Sequence, residues 1–410
     1  MKKLLLVLLI LSLFINHLNA NEKDLNIIQK DKKEYRLLEK ESIQTRQQSQ
    51  KYDWISPIDL SGNIGRNHSF SDENSRNLNN KNTKSASIGF TQSIFESGGI
   101  GFKMDYADNR FKYEMLSWEN QNSQLIYTIY NTLLDIKKLK LEINQNDYRI
   151  VNKDIELIIK KIQYEAGKTD IIELNNAIMS KNLILKEEIA LKNSLKEKEQ
   201  ELAKYTDLKY DEIEILDFQE TNKDIFLDKN YSILEADAKV EMLNSEYKIK
   251  KSQYLPKLSL SAKASYSTQD EKFNSMINDT NKDDATSSGS LILSMPLYDY
   301  TKSSKIQESK IEVLKQKALV NDLKNETAFE YEQIFTKIDT YLKQNETINK
   351  NIKLYEELIG ANQISSEAGM TSKYDLEILE NTKTINEFDI LINKINILQQ
   401  YAKLYFKIKN

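Results

Sequence analysis

Apolar residues recur along this chain in two rhythms. Between about residues 103 and 163 they return every seven positions, in two series. One is Ile129, Ile136, Ile143, Ile150, Leu157 and Tyr164. The other is Leu134, Leu141, Tyr148, Ile155 and Ile162. Members of the two series stand two residues apart, which puts them about 200° apart around a helix. An ordinary coiled-coil helix has one seam. Two opposed seams predict a neighbour on each side, as in a curved wall of helices. At ~1.5 Å per residue the helix would be roughly 90 Å long, too long to bury itself in one globular core. The matching helix of the second half shows a single seam: Ile334, Ile338, Tyr341, Ile348, Ile352, Tyr355 and Ile359, broken by Asn345.

The second rhythm has period two, the mark of strands. After Pro57, Ile58, Leu60 and Ile64 share one parity, and Ala86, Ile88, Phe90 and Ile94 do so further on. After Pro256 the series is Leu258, Leu260, Ala262, Ala264 and Tyr266, and later Leu291, Leu293, Met295 and Leu297. These predict hairpin strands at about 57–70 and 85–97, and at about 256–268 and 288–298. Polar loops, 71–84 and 269–286, join each pair. Segments 24–50, 170–205, 222–254 and 372–408 read as shorter helices. Stacked end to end, they match the long helices and can run antiparallel beside them.

The two halves follow one plan. EAGKT (165–169) and EAGMT (367–371) each interrupt helical sequence, and Pro57 and Pro256 stand at a similar offset of about 200 residues. This is an internal duplication, with a first repeat over 21–221 and a second over 222–410. In each phrase a glycine, Gly167 or Gly369, can take the positive φ of a helix stop. Thr169 or Thr371 can then cap the next helix. Tip turns are expected near 165–170 and 366–372.

Composition narrows the chemistry. Gly and Pro number only 10 and 3, so turns are few and helices long. The net charge of −4 implies no nucleic-acid face. With no Cys and 2 His, the chain has almost no material for a nucleophile–base set or a metal site, so no enzyme, metal or cofactor is expected. At the N-terminus two lysines precede an apolar run, Leu4 to Ile15, followed by a polar stretch to Ala20. That is too short for a membrane helix and reads as a secretory signal peptide over 1–20.

Four strands cannot close a membrane barrel, and an open edge in lipid leaves backbone groups unsatisfied. Strands in a membrane would have to be pooled between chains. Three chains would supply twelve strands and twelve helical columns. The heptads do not themselves fix that number.

The signal peptide, the duplicated helix–hairpin–helix plan, SMPLYDY at 294–300 and the paired EAGxT phrases together resemble the TolC-like outer-membrane efflux family. The resemblance covers essentially all of 22–408. It implies a mainly α protein with a small membrane β-barrel portion: a homotrimer with a 12-strand barrel in outer-membrane lipid on a 12-helix periplasmic tunnel. It implies a passive exit duct for a tripartite efflux or type I secretion system, with a periplasmic adaptor and an inner-membrane pump or ABC exporter as partners. The tip turns, Gly167, Lys168, Thr169, Gly369, Met370 and Thr371, would meet the adaptor. The family narrows its tip with carboxylates just after this turn, where Asp375 and its first-repeat counterpart Glu173 stand. A ring of Asp375 carboxylates would attract cations. The plainer reading of Asp375 is an acidic residue favoured by the helix dipole. Ser366 and Thr371 fall where well-known members carry a Tyr and an Arg that lock the closed tip.

Trp54, Phe70, Phe95, Tyr266 and Tyr298 lie near strand ends, where interfacial girdles or simple packing explain them equally well. Two rival readings are a periplasmic adaptor and an exported coiled-coil structural protein. An adaptor would show one helical hairpin between β-rich halves, and a fibre needs no 200-residue duplication.

Overall fold

A computed structural model describes residues 25–69, 79–216, 218, 220–270, 282–367 and 372–409. In chain order the elements are α1 (Lys30–Tyr52), β1 (Asp59–Ser69), β2 (Asn79–Phe95), α2 (Gly99–Glu165), α3 (Ile171–Leu202), α4 (Lys223–Asp228), α5 (Tyr231–Ser252), β3 (Lys257–Asp270), β4 (Lys282–Ser294), α6 (Lys302–Glu367) and α7 (Lys373–Phe406). The duplicated order of helix, hairpin, long helix and shorter helix is therefore present twice. The signal-peptide segment lies outside the described residues.

The chain divides into two compact units. The first holds 1–40, 116–234 and 321–410, and its described part is helical. In it α2 has a partner on each side. Against α3, Asn146 donates to the Ile184 carbonyl at 3.3 Å, Arg149 pairs with Glu187 at 3.5 Å and Lys198 with Asp135 at 3.3 Å. Against α7, Gln145 donates to the Asp389 carboxylate at 2.6 Å, Asn152 to Thr382 at 3.3 Å and Gln399 to Asp135 at 2.7 Å. From Asp135 to Lys160 on α2 the α3 partners run down from Lys198 to Glu173, and from Asp135 to Asn152 the α7 partners run down from Gln399 to Thr382, so both pairings are antiparallel. These contacts match the two seams: the Ile143–Ile150 flank meets α3, and the flank of Tyr148, whose ring lies 5.9 Å from that of Phe388, meets α7. Helix α6 packs on the far side of α7, where Asn393 donates to Asn345 at 2.9 Å. The polar residue that breaks the α6 seam thus has a polar partner, which a buried amide requires.

The core of this unit lies where α2, α6 and α7 crowd with the connection between repeats. Ile129, Leu133, Leu134 and Ile136 are fully buried on α2. Phe226, Ile334, Ile338, Leu404 and Ile408 form a second cluster. Tyr130 stacks on Phe406 with centroids 5.5 Å apart, and Phe218 packs edge-on to both. The 222–254 segment, expected as one helix, is two. It breaks at Lys229–Asn230, where Asn230 bridges to Ile408 and Tyr231 N donates to the Lys407 carbonyl at 2.9 Å. These tertiary bonds replace the helical bonds that a continuous helix would have made.

The second unit, 41–115 and 235–320, holds an antiparallel four-stranded sheet in the order β1-β2-β3-β4. Both hairpins are longer at their tips than the alternation predicted: β2 begins at Asn79 rather than near 85, and β4 at Lys282 rather than near 288. Register explains the difference. Arg66 pairs with Asn82 and Gln269 with Lys282, so ladder bonds continue after the side chains turn polar. The strands also stop earlier at the helical end. Ser97 and Gly98 take positive φ of 50° and 87° after β2, and Pro296 follows β4.

Candidate functional site

Two regions carry candidate function: the turns between paired helices and the two faces of the sheet. At the first turn α2 ends at Glu165. Gly167 has φ +67°, its N–H donates to the Tyr164 carbonyl at 2.9 Å, and Lys168 N–H donates to the Gln163 carbonyl at 2.8 Å. This pair of bonds around a left-handed residue is the Schellman helix stop. The cap on α3 is Asp170 rather than Thr169: its carboxylate accepts from Glu173 N–H at 2.9 Å. A carboxylate at this position also meets the positive end of the helix dipole, an advantage Thr lacks. Lys168 is exposed and Thr169 half-buried.

The second turn shows the same shift of one position. The cap on α7 is Ser372, whose hydroxyl accepts from Tyr374 N–H at 3.2 Å, not Thr371. Gly369, Met370 and Thr371 lie outside the described residues.

The two acidic candidates stand in the first turns of α3 and α7 but in different states. Glu173 is held by Lys160 of α2 at 3.0 Å. Asp375 is exposed, and among the described residues its carboxylate makes no ion pair. Of the two, Asp375 therefore presents the charge that is not already compensated.

The sheet is two-faced. One face carries Leu60, Ile64, Ala86, Ile88, Phe90, Leu260, Ala262, Ala264, Tyr266, Leu291 and Leu293, with Leu60, Ile88, Ala264 and Tyr266 in adjoining registers. Leu60 is 79% exposed and Leu293 73%. An open depression of about 460 Å³ on this face is lined by Leu60, Ile88, Ala264, Tyr266 and their neighbours. The other face is hydroxylated. Ser61 bonds Ser87 at 2.8 Å, Thr91 bonds Ser261 at 3.0 Å and Ser265 bonds Thr286 at 2.7 Å, each across a strand pair. Of the girdle candidates, Phe95 and Tyr266 are about half exposed and Tyr298 is 85% exposed, while Phe70 lies outside the described residues. The outer edges of β1 and β4 have no strand partner within the described chain. Among the described residues no helix is long and apolar enough to cross a membrane, and no group of acidic or imidazole side chains is arranged for a metal ion.

Sequence patterning missed the polar residues inside the helix layer. Gln145 and Asn146 are buried, yet each bonds a different neighbour. The signal was present in the adjacency of the two amides, because consecutive helical residues point to different flanks.

The family model described as Outer membrane efflux protein matches residues 224–403. No curated protein matches the chain. Among solved structures, the Campylobacter jejuni CmeC outer membrane channel aligns with a TM-score of 0.70 at 12% identity, over 92% of this chain and 84% of that one. The Vibrio cholerae outer membrane protein VceC aligns with a TM-score of 0.71 at 12% identity, over 91% of this chain and 90% of that one. The Neisseria gonorrhoeae MtrE outer membrane channel, in its open state, gives 0.66 at 11% identity, over 91% and 85%. At these identities the likeness is one of fold.

Proposed function

We propose that this chain, whose residues 224–403 match the model of the outer membrane efflux protein family, belongs to that family and is a passive exit duct. It sits in the outer membrane with a long periplasmic helical extension, and catalyses no bond chemistry. The observation that carries this reading is the two-faced sheet with both edges open. Its apolar face suits lipid and its hydroxyl face suits water. In lipid the free edges of β1 and β4 must find partners. A closed ring of copies, β4 of one against β1 of the next, supplies them. Three copies of the four-stranded sheet give a 12-strand barrel. At about 3.4 Å per residue and a tilt near 45°, the 14 residues of β3 cover the ~25 Å apolar band of such barrels with length to spare.

The helix layer supports the same assembly. Helices α3 and α6 are its two outer members, and each leaves large apolar side chains uncovered. Leu183 and Ile189 on α3 are 64% and 61% exposed, and Leu354 and Ile364 on α6 are 54% and 71%. Placed side by side in a homotrimer, these edges would close a 12-helix tunnel. Its tip turns, Gly167, Lys168, Thr169, Gly369, Met370 and Thr371, would dock a periplasmic adaptor. An inner-membrane pump or ABC exporter would energise tripartite efflux or type I secretion. Asp375 would line the constriction, with Glu173 held to the wall by Lys160. A periplasmic adaptor or a fibre would have no use for a sheet with one lipid-compatible face.

Single-channel conductance in planar bilayers tests this. The expected result is discrete cation-preferring openings from a heat-resistant trimer, with weaker cation preference in Asp375→Ala. Openings unchanged by the substitution would keep the duct and remove Asp375 from its constriction. Lack of conductance from both the wild type and variants that loosen the tip would overturn the duct.

A further inference from the structure

The hydroxylated face of the sheet carries one charge in its middle. Lys263 lies on β3 and is exposed. Across the strands it pairs with Gly89 on β2 and Ser288 on β4. Along its own strand the neighbours on this face are Ser261 and Ser265. Diagonally placed are Ser87, Thr91, Thr286 and Ser290, from the adjoining registers. Every position around the amine is therefore Gly, Ser or Thr. Gly89 leaves the space beside it without a side chain, and a Cβ there would stand 3.1 Å from the Ala262 carbonyl oxygen. The nearest acid in the same register row is Asp59, paired with Gly89 on its other side. It stands two strands from Lys263, about 9.6 Å at the usual strand spacing, beyond the reach of an ion pair. Among the described residues no salt bridge holds Lys263.

We propose that Lys263 sets an unpaired cation into the water-facing wall of the barrel, three in a trimer, and makes that level of the duct selective for anionic groups on a passing solute. The inference rests on the duct reading, because only the pooled barrel turns the hydroxyl face into a lumen. Its physics is that of lysine rings in anion pores: fixed positive charges raise the local concentration of anions. A lysine here also needs water. The apolar neighbours Ala262 and Ala264 face the opposite side, so the charge has no cause to sit in lipid. The duct would then present its solute with both signs, carboxylate from Asp375 and ammonium from Lys263.

The chain contains no cysteine, so a single introduced thiol is a unique probe. Full-length protein reconstituted in lipid vesicles would carry Ser265→Cys or Ala264→Cys. Each would be treated with membrane-impermeant thiosulfonate reagents, one anionic and one cationic. Ser265 lies on the same face as Lys263 at about 7 Å along the strand. At that range a single charge near water shifts local ion concentration by roughly 2- to 5-fold. The anionic reagent should therefore gain on the cationic one at Ser265→Cys by about that factor. Adding Lys263→Ser, which copies the commonest residue of this face, should remove the gain, and Lys263→Glu should reverse it. A ratio that ignores the charge at 263 overturns the proposal while leaving the duct intact. Equal labelling of Ala264→Cys and Ser265→Cys would mean that neither face is shielded by lipid, and the barrel itself would fall.

Discussion

Helices α2 and α6 occupy the same place in the two repeats, yet they are buried differently. On α2, Ile129, Leu133, Leu134 and Ile136 are fully buried, while Gln145 and Asn146 bond α7 and α3 on either side. On α6 the described contacts in this unit follow one stripe: Ile334 and Ile338 are buried, Tyr341, Ile348, Ile352, Tyr355 and Ile359 are half-buried, and Leu354, Leu358 and Ile364 face outward. The difference follows the sequence. Two opposed heptad series make an interior helix, and one series makes an edge helix. The same element order occurs twice along the chain, and its two long helices take unequal positions in the layer. An edge with uncovered leucines and isoleucines is a surface that a second copy of the layer would cover.

The largest effect should separate these positions. Leu134→Asp places a carboxylate where α2 is fully buried, with no partner for it. It should cost more than about 4 kcal/mol and leave little folded protein. Leu354→Asp, on the half-exposed outer side of α6, should leave the helical circular dichroism of the chain intact and abolish the heat-resistant trimer that the proposed duct requires. Measuring both variants by circular dichroism and by gel mobility without boiling separates folding from assembly. A Leu354→Asp protein that still runs as a trimer would mean that the edge of α6 is not an intersubunit surface.

Much of this contrast was legible beforehand. The seam of α6 and its break at Asn345, the double seam of α2 and the parity of all four strands are periodic features, and periodicity survives without knowledge of partners. The features that patterning got wrong depend on partners. Asn79 to Lys84 read as loop because their side chains are polar, but strand extension there is set by the opposing backbone. The break at Lys229–Asn230 arises from bonds to Lys407 and Ile408, remote in sequence. The caps moved by one residue because Asp170 and Ser372 follow the threonines and were themselves good capping residues. After the two EAGxT phrases, sequence located Asp375 and Glu173 in equivalent first turns. Their difference, one bound by Lys160 and one without an ion pair among the described residues, needed the neighbouring helix.

A smaller effect sharpens the comparison through two carboxylates. Glu330 on α6 is partly buried, which alone would raise its carboxyl pKa. Hydrogen bonds and charge from Lys403 at 2.8 Å and Lys407 outweigh burial and hold it below the usual carboxylate range. Glu142 on α2 is pushed up, chiefly by burial, with Lys138 and Arg149 only partly offsetting. The two therefore respond to acid with opposite signs. A depressed carboxyl contributes stability that is present above its unfolded pKa of about 4.3 and is lost as pH falls through the folded value. A raised carboxyl makes the folded state gain stability as pH falls through its folded value. Glu330→Gln should cost about 2 kcal/mol at pH 7, the scale of charge-assisted bonds, with the penalty vanishing in acid. Glu142→Gln should be neutral or slightly stabilising at pH 7, and that difference should shrink in acid. Melting temperatures of the two variants and wild type between pH 7 and pH 3 check this. Parallel curves for Glu330→Gln and wild type would remove Glu330 from the acid response.

The smallest effect belongs to the end of α2, where burial has faded. Ile162 and Tyr164 are 54% and 42% exposed, and a Cβ added at Gly167 would touch nothing within 4 Å. Gly167→Ala therefore meets only the backbone penalty of the left-handed region, about 1–2 kcal/mol. That energy is local. It should open the Schellman turn and speed hydrogen exchange at the amides of Gly167 and Lys168, with a melting shift of only a few degrees for a chain of this size. Gly167→Asn should behave nearly as wild type, because Asn tolerates this conformation. If the turn is the adaptor's docking surface, Gly167→Ala should weaken adaptor binding several-fold while Gly167→Asn keeps it, since both remove the glycine but only one disturbs the shape. Equal binding by both variants, with exchange altered only in Gly167→Ala, would show that the turn serves the helix and not the partner. The stability that makes α2 an interior helix would then end before the tip, and docking would have to be sought on the α6–α7 side.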